Sequence, residues 1–130
     1  MIVLDASAAI DWLLQTSDGY RIERRIASRG EQLHAPHLID LEIIHALRRL
    51  ARDGAVVPLR ADQAVSFLQA LPITRHPHTE LLPRVWQYRH NLSAYDAAYV
   101  VLAEVLGAAL ITRDARLASS HGHSAKIELF

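Results

Sequence analysis

The chain has no cysteine, which excludes disulfides, thiolate zinc sites and cysteine nucleophiles. Lysine is almost absent: thirteen of the 14 basic residues are arginine, and only Lys126 is not. No apolar stretch approaches the length of a membrane span. The first one, Ile2-Val3-Leu4, is too short for a signal-peptide core and has no basic residue before it. Internal repeats, low-complexity tracts and linkers are also missing. Net charge is formally zero, with 14 acidic residues against 14 basic. These absences lead us to expect a soluble, cytoplasmic protein with no membrane partner.

The remaining composition is globular: 51% of residues are hydrophobic and 22% charged. A chain of 130 residues is long enough for one domain, residues 1–130, with a sizeable core. Short apolar runs alternate with longer helical periods. The pattern predicts strands over 1–5, 31–35, 72–75, 108–112 and 125–129. Helices are predicted over about 7–14, 20–29, 37–52, 61–71, 79–90 and 94–106, with a short one after Asp114. Leu38, Leu41, His45 and Ala46 fall near one face of the third helix. Residues 94–106 are apolar nearly all round and must be buried. Strands separated by helices imply an α/β fold of three layers, α/β/α, with a mainly parallel central sheet of four to five strands.

Four acids stand where an ordinary core would not put them. Asp5 ends the first apolar run, and Asp114 closely follows Ala108-Ala109-Leu110-Ile111. Glu42 lies between Leu41 and Ile43, and Asp96 sits within Ala94-Tyr95-Asp96-Ala97-Ala98. Each has a plainer explanation. Asp5 and Asp114 both precede helices and could cap them. Ser93 and Asp96 fit a capping box. Glu42 could pair with Arg49 or His45 on its own helix. Taken together, however, two acids at strand ends and two on helices above them could line one pocket. Carboxylate oxygens suit Mg²⁺ or Mn²⁺. Without a cation, mutual repulsion would raise their pKa values. Two such ions would support attack of water on a phosphodiester. Ser7 and Thr112, each two residues from an acid, could hold a coordinated water or a phosphate oxygen.

The other chemistry-bearing residues carry weaker signals. None of the close histidine pairs among His34, His37, His76, His78, His121 and His123 has the helical spacing of a zinc-protease motif. Trp12, Trp86, Tyr95 and Tyr99 lie in apolar helical stretches and are expected in the core. If four acids share one site, ten remain elsewhere against the 14 basic groups, which favours a polyanion partner. Coding bias explains the arginine excess equally well. Arg21, Arg24, Arg25 and Arg29, and then Arg48, Arg49 and Arg52, are expected on solvated helix faces.

Four stretches resemble the PIN-domain ribonucleases, in particular the VapC toxins of bacterial toxin–antitoxin pairs. Met1-Ile2-Val3-Leu4-Asp5-Ala6-Ser7 looks like that family's opening strand and first catalytic aspartate. Leu41-Glu42-Ile43 is similar to its helical glutamate. Leu92-Ser93-Ala94-Tyr95-Asp96-Ala97-Ala98-Tyr99 is the most specific match, and Thr112-Arg113-Asp114 fits the closing T-x-D pattern. The resemblance spans essentially the whole chain. It implies a PIN-like fold and a Mg²⁺- or Mn²⁺-dependent endoribonuclease in which Asp5, Glu42, Asp96 and Asp114 are catalytic and hold the metal. It further implies an RNA substrate, a cognate antitoxin protein, a homodimer, and a helical clip at about residues 55–71. In that segment Leu59, Val65, Phe67 and Leu68 are too many apolar residues for one small core, so we expect them at the dimer interface. Two other classes compete. An inactive PIN-fold interaction module would not need all four acids. An aspartyl-phosphate phosphatase would want an acid where Ser7 stands, and a receiver domain would want an acidic pair after its first strand.

Overall fold

All five expected strands form, and every pairing between them is parallel. The computed structural model describes all 130 residues. In chain order the elements are β1 (Ile2–Leu4), α1 (Ala6–Leu13), α2 (Ser17–Ala27), β2 (Leu33–Pro36), α3 (Leu38–Arg52), α4 (Pro58–Ala70) and β3 (Ile73–His76). There follow a 3₁₀ turn (Thr79–Leu81), α5 (Leu82–Gln87), α6 (Ala94–Leu106), β4 (Ala109–Thr112), α7 (Ala115–Ala118) and β5 (Lys126–Leu129). The sheet order is β3-β2-β1-β4-β5. α1 to α4 pack together as the chain steps from β1 to β3, on the one face that the right-handed rule for parallel crossovers assigns them. The return from β3 to β4 then lays α6 against β1, β2 and β4 on the other face, with α5 packed on α6. The result is three layers, as the alternating pattern implied. No helix is long and apolar enough to cross a membrane.

β1 is central and sealed on both sides: Ile2, Val3 and Leu4 are all fully buried. Burial of each such side chain stabilises the fold by roughly 1.5–3 kcal/mol. In α6 the run from Ala97 to Ala103 is buried without interruption, consistent with its all-round apolar sequence. The helix stops at Gly107, whose φ of 60° is the left-handed conformation glycine adopts without strain.

Helix starts and one helix face differ from expectation. α2 begins at Ser17, not near residue 20, because the Thr16 hydroxyl accepts a hydrogen bond from the Gly19 amide at 3.0 Å. Its polar first turn lacks the apolar spacing used to find helices. α4 likewise begins at Pro58, a proline tolerated in the first helical turn. The helix expected over 79–90 is broken into the 3₁₀ turn and the short α5. On α3 the buried stripe is Ile39, Ile43 and Leu47 at i, i+4 spacing. Leu41 is 75% exposed, because it lies on the opposite side of the helix from that stripe.

Candidate active site

The chain leaves β1 toward β2 on one side, while β4 lies on its other side. In open α/β sheets this reversal of strand order opens a crevice beyond the carboxyl ends of the strands. Asp5 directly follows β1, and Asp114 comes two residues after the end of β4. The Asp5 amide continues the ladder by donating to the Ile111 carbonyl at 3.0 Å. Strand geometry therefore places these two acids together at the carboxyl end of the sheet.

Asp5 occupies the N-cap position of α1, yet its side chain makes no capping hydrogen bond. Its Oδ2 instead accepts from the Ser7 hydroxyl at 2.5 Å and the Thr112 hydroxyl at 2.7 Å. Thr112 is fully buried, and its Oγ1 also accepts from the Asp114 amide at 3.0 Å. The Arg113 amide donates to Ser7 Oγ at 3.0 Å. A closed set of short bonds thus locks the ends of β1 and β4 together and commits one oxygen of Asp5. No protein group donates to the other oxygen, Oδ1. Ser7 and Thr112, expected beside the acids, both donate to Asp5.

Asp114 does cap its helix. It accepts from the Arg116 amide at 2.8 Å and the Leu117 amide at 3.4 Å, and Arg116 also pairs with it at 3.1 Å. Its hydrogen bond with the Arg116 side chain holds its pKa below the ordinary carboxylate value. For Asp96, half of the capping box forms: Ser93 Oγ accepts from the Asp96 amide at 3.1 Å, while the Asp96 carboxylate makes no return bond to the Ser93 amide. Glu42 pairs with neither Arg49 nor His45. Its Oε2 accepts from the Tyr99 hydroxyl at 2.5 Å, across from α6.

Burial is the largest cause raising the pKa of both Asp96 and Glu42. The charge of Asp5 adds to both, Asp114 adds to Asp96, and Asp96 adds to Glu42. All four acids therefore share one electrostatic environment, with desolvation outweighing the repulsion expected to dominate. They are not drawn into a ready-made ion cage: no three acidic or imidazole groups lie close enough together to hold one ion. Asp5, Glu42 and Asp114 each accept from a donor of their own, whereas the Asp96 carboxylate accepts none. The donor set nevertheless fits a hard divalent cation. It consists of carboxylate oxygens only, and two of the acids are held at raised pKa, a penalty that positive charge would relieve.

The family model of the PIN domain matches residues 2–120. This chain belongs to the PIN-domain family. Ribonuclease VapC12 of Mycobacterium tuberculosis is 46% identical over 136 residues, covering 99% of this chain and 98% of the relative. The crystal structure of PAE2754 from Pyrobaculum aerophilum superposes with a TM-score of 0.71 at 28% identity, covering 97% of this chain and 81% of that one. That of Mycobacterium tuberculosis VapC20, a sarcin-ricin loop cleaving toxin, gives 0.67 at 15% identity, with 95% and 97% covered, and shows likeness of fold.

In this PIN domain Tyr99 is a core residue, as its apolar surroundings imply, and its hydroxyl also reaches one of the four acids, which those surroundings do not signal. The available signal was its place three residues after Asp96, on the same side of a helix. Arg113 carries no such signal in the linear sequence. It is held by Asp11 at 2.7 Å, by Asp18 at 2.9 Å and by the Phe130 carbonyl, which anchors the loop carrying Thr112 and Asp114. Two aromatic expectations fail: Trp86 is 67% and Tyr95 64% exposed. Both lie on or beside short helical ends that the sheet does not cover, and Arg89 stacks on Trp86 at 4.6 Å. His34 and His76 bond to each other at 2.9 Å across β2 and β3. Most of the clustered arginines are exposed as expected, but Arg25 forms a two-pronged pair with Glu128 at 2.9 and 3.1 Å.

Proposed function

We propose that this protein is an endoribonuclease, the toxin of a toxin–antitoxin pair, which hydrolyses RNA phosphodiesters at the crevice beyond β1 and β4. The observation that carries this function is the 46% identity to Ribonuclease VapC12 over 99% of this chain, and the mutual charge effects among Asp5, Glu42, Asp96 and Asp114 support it. Those four residues would hold Mg²⁺ or Mn²⁺. Such an ion, when bound, supplies an activated water and neutralises charge developing on the phosphate.

The chain's own groups prepare the site. Ser7 and Thr112 fix Asp5 through one oxygen, leaving the other for the cleft. Tyr99 restrains Glu42, and α7 restrains Asp114. Arg116 is almost fully exposed beside Asp114, where a guanidinium can meet a backbone phosphate without reading sequence. The protein acts as a homodimer, and a cognate antitoxin covers the clip and the cleft. A mainly apolar hollow, lined by Trp12, Leu13, Phe67 and Leu71 with Gln15 and Glu23, supports a protein partner at the clip.

Incubating RNA with purified protein and Mg²⁺ or Mn²⁺ should give cleavage that EDTA abolishes. Asp5→Asn and Asp96→Asn should each remove nearly all of it while leaving the melting transition cooperative. Full cleavage in EDTA, or by the Asp96→Asn protein, rejects the mechanism.

A further inference from the structure

A single side-chain hydrogen bond joins α3 to α6: the Tyr99 hydroxyl donates to Glu42 Oε2 at 2.5 Å. Its two ends differ in character. Tyr99 is 1% exposed and packed in the core, so its ring cannot wander. Glu42 is only part-buried, on a long flexible side chain, and it feels the like charges of Asp5 and Asp96. Left alone, repulsion would favour its swinging outward into water. Asp5, at the end of β1, is restrained differently, through the hydroxyls of Ser7 and Thr112. Glu42 receives no other protein hydrogen bond, and its Oε1 takes none. Asp96 and Tyr99, three residues apart on α6, project from similar faces of one helix.

We propose that Tyr99 is a positioning residue of the acidic site: its buried hydroxyl holds Glu42 by Oε2, so that Oε1 is presented to the cleft. α6 then contributes twice, supplying Asp96 directly and orienting the acid of α3 through Tyr99. This rests on the divalent-metal function proposed above. The blander role for Tyr99 is a core ring whose hydroxyl merely needs an acceptor. That role predicts an effect on stability and none on cation binding.

The two roles are separated by Mn²⁺ titration, read from the electron paramagnetic resonance of free Mn²⁺. The proteins compared are wild type, Tyr99→Phe, Glu42→Ala and the double variant, with melting in EDTA to confirm folding. Tyr99→Phe should weaken Mn²⁺ binding by about 10–100-fold, the range typical of groups that orient metal ligands. Added to Glu42→Ala it should weaken binding no further, because the hydroxyl acts only through Glu42. Affinity within about twofold of wild type, whatever the melting temperature, overturns the proposal. So does an equal loss with Glu42 already removed. Glu42→Asp, which disturbs no core side chain, keeps the charge but withdraws it from the hydroxyl. It should bind about as weakly as Glu42→Ala, and wild-type affinity in it overturns the proposal independently of whether Tyr99→Phe folds. A wild-type protein that binds no Mn²⁺ removes the metal-dependent function itself, an outcome distinct from all of these.

Discussion

Asp96 shows how one half-buried charged side chain can cost a fold stability. Burial, followed by the charges of Asp5 and Asp114, raises its folded pKa above the unfolded value. A carboxyl with a raised folded pKa binds more protons when native than when unfolded. Its destabilising effect is absent below the unfolded pKa, sets in as pH rises toward the folded one, and is complete above it. Asp114 behaves oppositely: its folded pKa is lowered, so its contribution stabilises above the unfolded pKa and is lost as pH falls through the folded one. We therefore expect Asp96→Asn to be more stable than wild type in EDTA at neutral pH, by about 1 kcal/mol. The gap should close on acidification below about pH 4, the ordinary aspartate value. Saturating Mn²⁺ should reverse the ranking, since a ligand at a hundredfold its dissociation constant stabilises the protein that binds it by about 2.7 kcal/mol. Urea unfolding of both proteins across this pH range checks the sign. If Asp96→Asn is the weaker protein in EDTA at neutral pH, the charge of Asp96 favours the first turn of α6 and costs the fold nothing.

Among the elements, the pairing of α1 with α2 is the tightest constraint on the loop that carries Thr112 and Asp114. Gly19, in the first turn of α2, sits so close to α1 that an added Cβ would lie 2.1 Å from the Asp11 carbonyl oxygen and 2.9 Å from the Cα of Trp12. These are backbone atoms, so no side-chain rotation relieves the clash. The same two helices supply Asp11 and Asp18, the carboxylates that grip Arg113. Gly19→Ala should thus push α2 away and destabilise the fold by about 1–3 kcal/mol through overpacking. It should also loosen Arg113, lowering cleavage more than the same stability loss would if placed far from the site. Parallel denaturation and activity measurements test this. A Gly19→Ala protein as stable as wild type would show that α1 and α2 are free to separate.

At the scale of the whole molecule, several large apolar side chains remain uncovered. Leu59 is 67% and Phe67 47% exposed on α4, while Leu68 of the same helix is buried in the protein's own core. The expected interface group therefore loses Leu68, because the i, i+4 stripe of Ala64 and Leu68 is the one facing inward. An apolar surface on a short helical arm is the kind that self-association or a partner covers. The protein should sediment as a dimer at micromolar concentration, and Phe67→Asp should shift it to monomer without loss of the melting transition. A wild-type monomer under those conditions counts against the dimer.

Much of the architecture was legible in the linear pattern. Five apolar runs separated by helical periods suffice to specify a parallel three-layer sheet, because chirality and burial leave few other arrangements. The four acids were visible for a similar reason: a carboxylate beside Leu4, between Leu41 and Ile43, within the apolar α6 or soon after Ile111 is costly to bury unless it is paired or hydrogen-bonded. Helix starts at Thr16 and Pro58 were less legible, since capping turns are polar and carry no apolar period. The partners of the acids were decided only by tertiary structure. Whether Asp5 capped a helix or met Thr112 depended on the strand order that sets β4 beside β1, 107 residues later in the chain. Glu42 found Tyr99 and not Arg49, because its rotation about α3 was set by the burial of Ile39, Ile43 and Leu47. Side-chain identity and period are local properties that a sequence carries in itself. Which hydroxyl reaches which carboxylate depends on how two elements distant in sequence are packed, and that is fixed only when the core closes.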